Sequence, residues 1–270
     1  MKKSPETYFV TWEEFKSCVK ELPSGSSDEG HPIEWIFRGQ ADSKWDLQST
    51  LERHFIENDR KYHPVFQSKY VNFLCKKRKK INDISQKEFK FFDEKNINPS
   101  NIQMQNFMDL TIWLRHNEFP SPILDWTHNW NVAAFFALNN NNKSSDASIY
   151  AYAGLRETRS GWAGDSNLNV WSPDHQHSVR HQRQEACYLL CTQHYYTEKQ
   201  AFPSYMLGLE NDVKNHRLIE FVLSRSEKAK VLAELEHSGY SKNWLLPADN
   251  EHLAKDLAAE LDFDDLTRFE

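Results

Sequence analysis

The 270 residues predict an α+β fold: one mixed domain with a core over about residues 30–247 and helical extensions at both ends. Three observations carry the prediction. Helical stripes with capping signals fill the first half, short apolar runs of strand length dominate the second, and no repeat or linker divides the chain. A hydrophobic content of 39% at this length is enough to bury one sizeable core.

Thr11 and Glu14 have capping-box spacing ahead of Phe15, Val19 and Leu22, which predicts a first helix ended by Pro23-Ser24-Gly25. Pro32 to Gly39 reads as a buried strand. After the turn at Ala41–Lys44, a helix is expected over Ser49–Ile56, carrying Arg53. Pro64 to Lys80 shows a helical stripe and ends in Lys76-Lys77-Arg78-Lys79-Lys80, either a solvated helix end favoured by the macrodipole or an anion-binding patch. Asn101–Asn117 is a further amphipathic helix. Asp125–Leu138 is too apolar for the surface and reads as one buried central helix, with Asp125 at its N-terminus. Strands follow at Ala147–Ala153, Ala186–Thr192 and Leu218–Leu223, then a helix over Ser226–His237 that stops at Gly239 and an acidic helix over Asp249–Leu261. Arg159–Asp174 is the longest irregular stretch.

A net charge of -6 gives no global attraction to phosphate backbones, so nucleic acid is not favoured as a partner by charge alone. No apolar leader or membrane-length stretch is visible, and Cys18, Cys75, Cys187 and Cys191 do not form a disulfide framework. These features lead us to expect a cytoplasmic protein without membrane partners. His175, His177, His181, Cys187, Cys191 and His194 lack the close paired spacing of structural zinc sites, and no metal is expected. With eight glycines and no phosphate-loop or dinucleotide fingerprint, any nucleotide must be gripped by side chains.

The motifs that remain are Phe37-Arg38-Gly39-Gln40, Trp45 and Leu47 followed by Arg53, and Arg115-His116 followed by Pro120-Ser121-Pro122-Ile123-Leu124-Asp125-Trp126-Thr127. Gln184, Ala186 and Tyr188 add a partial C-terminal motif. Together they resemble the FRG-domain family, named for its Phe-Arg-Gly signature. Pro122 stands where the family motif carries an arginine, so an anion contact made there must be lost or supplied by a neighbour such as Arg115.

The Phe-Arg-Gly strand end is also similar to the first signature of ADP-ribosyltransferases, in which an arginine contacts NAD. That similarity implies NAD as substrate, Arg38 on its phosphate or ribose oxygens, and a strand glutamate steadying the oxocarbenium-like transition state. Glu185 is the candidate for the glutamate and His116 for an acid or base. Gln40, Asp125, Trp126, Thr127, Gln184 and Tyr188 are the candidate cofactor contacts, around a cleft between the Phe37–Gln40 strand end, the His116–Thr127 loop and a Gln184-Glu185 strand. Each has a structural reading beside it. Asp125 or Thr127 can cap a helix, His116 can pack beneath its loop, and an Arg38 pair with Asp125 or Glu185 can simply orient the chain. Two functions follow. One is an NAD-dependent ADP-ribosyltransferase acting on a macromolecular acceptor, as a bacterial toxin or defence effector. The other is a non-catalytic module binding nucleotide, nucleic acid or protein through Arg38, Arg53, Arg115 and the Lys76–Lys80 run.

Overall fold

Among the described residues, seven strands form the main sheet, in the order β1-β10-β5-β2-β4-β7-β6. The computed structural model describes residues 5–25, 33–58, 60–89, 101–140, 145–155, 168–172, 179–195, 199–209, 217–246, 255–261 and 263–267. The strands are β1 (Glu6–Val10), β2 (Ile33–Gln40), β4 (Ile123–Thr127), β5 (Ala147–Leu155), β6 (Leu168–Trp171), β7 (Ala186–Cys191) and β10 (Leu218–Leu223). A second sheet joins β3 (Val65–Phe66), β9 (Lys199–Phe202) and β8 (Gln193–Tyr195). The helices are α1 (Trp12–Lys20), α2 (Thr50–Glu57), α3 (Gln67–Lys76), α4 (Arg78–Ser85), α5 (Asn101–His116), α6 (Trp130–Leu138), α7 (Val179–Arg183), α8 (Tyr205–Gly208), α9 (Lys228–His237) and α10 (Lys242–Leu245). The α+β class is therefore the observed one.

The expected capping box forms, and a second one accompanies it. Thr11 and Glu14 bond each other's backbone amides at α1, and Ser49 and Glu52 do the same at α2, where the pair is buried. The β5 strand lies between β2 and β10, and β1 adds to β10 in parallel. One face of the sheet, with Phe37, Ile149, Ala151 and Phe221, is covered by α1, α6 and α9. Ile36, Tyr152, Trp126 and Leu189 on the other face pack with Leu47 and Tyr205. A third cluster, around Tyr70, Phe107, Leu114 and Ile123, binds α2, α3 and α5 to the β4–β7 end.

Gly39 explains why α6 can lie so close to β2. A Cβ there would collide with the Ala133 carbonyl and come within 2.6 Å of the Ala137 amide, so only glycine lets the two backbones approach. The Phe-Arg-Gly signature thus divides into three roles: Phe37 fills the core, Gly39 admits the helix, and Arg38 points to the site.

Several expectations need correction. Asp125 is in strand β4, not at a helix N-terminus; α6 starts at Trp130 and is capped by Asn129. The 125–138 run merges a buried strand with a buried helix, and apolar density alone does not separate them. Gln184 and Glu185 occupy a turn before β7 rather than a strand, and Glu185 is turned there by a φ of 44°. Strands β1 and β6 were not anticipated. The 64–80 stripe holds β3, α3 and the start of α4, and the chain turns between the two helices at Lys77. Within the expected tail helix the described residues show a short helix at Lys255–Ala258, followed by another at Phe263–Thr267; 249–254 lie outside them.

Candidate anion-binding site

Strands β2 and β4 pair at one position, Phe37↔Thr127. Beyond it the Asp125 carbonyl is met by a side chain: Arg38 Nη1 donates to Asp125 O at 2.6 Å. The neighbouring strand β7 places Tyr188 beside Asp125 in register. From the end of α5, Arg115 Nη2 approaches Asp125 Oδ2 at 2.7 Å, and Arg53 is close enough on α2 to act electrostatically on both Arg38 and Asp125. Four segments far apart in sequence therefore bring Arg115 to the Asp125 carboxylate, Arg38 to the Asp125 carbonyl, and Arg53 within electrostatic reach of both.

The electrostatics follow from this grouping. Burial pushes the Asp125 carboxyl up, but Arg115, His116, Arg38 and Arg180 outweigh it and hold the pKa at about 2. Burial lowers Arg38 to about 10; Asp125 opposes the fall and Arg115 and Arg53 deepen it, and the group stays cationic at neutral pH. Arg53 is lowered by burial and then by repulsion from Arg115. Arg38 Nε, Arg115 Nε and Asp125 Oδ1 are buried without hydrogen-bond partners among the described residues. The Arg115 and Asp125 side chains keep 23% and 36% of their surface exposed, so the cluster remains open to solvent on one side.

His116, next to Arg115, turns to a different set of partners. Its Nε2 lies 2.9 Å from the Tyr188 hydroxyl and 3.1 Å from His181 Nε2, and His181 also bonds the Tyr188 hydroxyl. Two imidazoles thus share one buried phenol beside Asp125. The sequence offers His181 only within the histidine and cysteine cluster; Cys187 and Cys191 of that cluster are buried core residues in β7. His175 and His177 lie outside the described residues.

The other candidate residues have different surroundings. Glu185 is exposed and accepts from Asn129 Nδ2 at 2.7 Å, one position beyond the Thr127↔Ala186 pair. Thr127 Oγ1 donates to the Gln184 carbonyl at 2.6 Å and accepts from the Asn129 amide. Gln184 Nε2 donates to Leu245 O and Gln40 Nε2 to Trp45 O, so these three polar side chains hold backbone segments together. Trp126 is buried against Tyr152 on the opposite face. Pro122 lends its carbonyl to the Tyr205 hydroxyl, and Arg115 is the cation that stands at Asp125 nearby.

Sequence reasoning missed a row of polar groups on the face of the sheet opposite α6. Arg38 pairs with Tyr150, Tyr150 with Glu220, and Glu220 with Thr7, across four adjacent strands. The Glu220 carboxylate accepts from Ser148 Oγ at 2.6 Å and from Thr7 Oγ1 at 3.0 Å. Its one sequence signal is a glutamate inside the apolar run Leu218–Leu223.

A family model for the FRG domain matches residues 33–146. The chain carries an FRG domain, and that stretch contains Arg38, Arg53, Arg115, His116 and Asp125, whereas His181, Glu185, Tyr188 and Glu220 lie beyond it. No curated protein and no solved structure matches the chain.

Proposed function

We propose that this FRG-domain chain binds the phosphates of a nucleotide through Arg38, Arg53 and Arg115, with NAD as the first candidate. The observation that carries the reading is the excess of cations: Arg115 pairs with the Asp125 carboxylate, Arg38 donates to the Asp125 backbone carbonyl, and Arg53 acts electrostatically on both. Arginines held this close repel one another unless an anion joins them, and their rigid forks match phosphate oxygens. Asp125 fixes Arg115 and receives Arg38 on its backbone oxygen, so both cations are oriented before a ligand arrives.

Glycosyl transfer from NAD is the second reading. In that reaction the bond from ribose C1′ to nicotinamide nitrogen breaks, nicotinamide leaves with the electron pair, and C1′ bonds the acceptor nucleophile, whose proton passes to a base. The support for it is that Asp125 Oδ1 has no hydrogen-bond partner among the described residues, that His116 acts electrostatically on Asp125 and that Tyr188 pairs beside it in register. Exposure of Glu185, and its bond to Asn129, argue for binding ahead of transfer by that residue.

The test is calorimetric titration of the purified chain with NAD, ADP-ribose and inorganic pyrophosphate, with nicotinamide release followed in parallel. Binding that Arg38→Ala abolishes supports the site, and release that Asp125→Asn also abolishes supports transfer. No binding of any of the three by the folded wild type defeats the nucleotide reading.

A further inference from the structure

The row that starts at Arg38 continues past the arginines. Tyr150 is its direct neighbour on β5, and side chains of such antiparallel pairs rise on the same face about 5 Å apart. The phenol donates a hydrogen bond to Glu220, whose carboxylate is also held by Ser148 and Thr7. This leaves the Tyr150 oxygen with its proton committed and its lone pairs available as an acceptor. Arg38 and Asp46, the latter exposed in the loop after β2, both act electrostatically on the Tyr150 hydroxyl. The network also keeps Tyr150 un-ionised: burial and then Glu220 raise its pKa.

We infer that Tyr150 is the residue that recognises a sugar hydroxyl of the bound nucleotide, with Glu220 as a positioning residue that holds the phenol proton. The inference rests on the nucleotide reading above and adds the ligand class: a nucleoside diphosphate carrying a free ribosyl hydroxyl next to its phosphates, as opposed to any polyanion. A cation, a phenol acceptor and a buried carboxylate in one row suit a ligand that presents phosphate oxygens and hydroxyl donors side by side.

The experiment compares two probes on the full chain, inorganic pyrophosphate and ADP-ribose. Tyr150→Phe and Glu220→Gln are expected to bind pyrophosphate as the wild type does, which also shows that they fold, and to bind ADP-ribose about tenfold more weakly. Because Glu220 acts through Tyr150, the double variant should lose no more than Tyr150→Phe alone. Equal weakening of both probes, or no loss for ADP-ribose, overturns the assignment. A wild type that binds neither probe defeats the nucleotide reading itself, and a wild type that binds pyrophosphate but gains nothing from ribose defeats only this inference. Should Glu220→Gln fail to fold, Tyr150→Phe, which keeps the ring and removes one oxygen, decides the matter.

Discussion

Two concentrations of positive charge lie in this chain, one of five neighbouring cations and one of three arginines brought together by the fold. The Lys76–Lys80 run is contiguous and mostly exposed; Lys77 and Lys80 both reach Glu260, the latter at 2.6 Å. Arg38, Arg53 and Arg115 are scattered over nearly eighty positions and converge on Asp125 in a partly buried setting. In the first cluster water screens the cations and a surface glutamate satisfies two of them. In the second, burial makes each unpaired charge costly, and Asp125 is the carboxylate that offsets it. A run of lysines in sequence therefore says less about ligand binding than isolated arginines that the fold brings to one point.

The comparison breaks most sharply if its scaffold is removed. Gly39→Ala forces a methyl group into the α6 backbone, and we expect a loss of about 3 kcal/mol or failure to fold, read by denaturant melting. A variant of wild-type stability would mean that β2 and α6 are not held as described. Next in size is Asp125→Asn. It leaves three arginines facing one another, and a loss of about 2 kcal/mol is expected, below the value for a fully enclosed pair because the side chain is 36% exposed. Arg38→Ala should weaken nucleotide binding about a hundredfold with little change in melting temperature, which separates a ligand role from a structural one.

Acid and base sharpen the contrast between buried carboxylates. Asp125 is held at about 2, below its ordinary value, so its contribution to stability is present above pH ~4 and is lost as pH falls through 2. Glu52, raised to about 7 by burial despite bonds from the Ser49 and Tyr205 amides, has the opposite sign. Stability it contributes below its unfolded pKa falls away between pH ~4.5 and 7, and Glu52→Gln should flatten that part of a stability-against-pH curve. The smallest effect belongs to Glu260→Gln, which should leave melting at physiological salt and nucleotide affinity unchanged, since its partners are exposed lysines.

Much of the framework was legible in the sequence because it rests on local chemistry. Thr11 with Glu14 announces a helix start, and Leu218–Leu223 announces a strand. The β1 strand was missed because its residues face solvent and carry no buried alternation. Asp125 was placed on a helix because the apolar residues of β4 and α6 run together. For the site, Arg38, Arg53, Arg115, His116 and Asp125 could be named from the sequence, yet the contacts of Arg38 with the Asp125 carbonyl and of Arg115 with the Asp125 carboxylate could not. The Arg38–Tyr150–Glu220 row was invisible for the same reason: register between strands more than sixty residues apart is a property of the sheet and leaves no local pattern.

The most direct test of the difference between the two basic clusters is titration of ADP-ribose into the wild type, an Arg38→Ala variant and a Lys77→Gln/Lys80→Gln double variant under identical salt. Binding retained by the lysine variant and lost in Arg38→Ala is the expected result. Loss in the lysine variant with retention in Arg38→Ala would place the anion site on the surface helix and contradict the account.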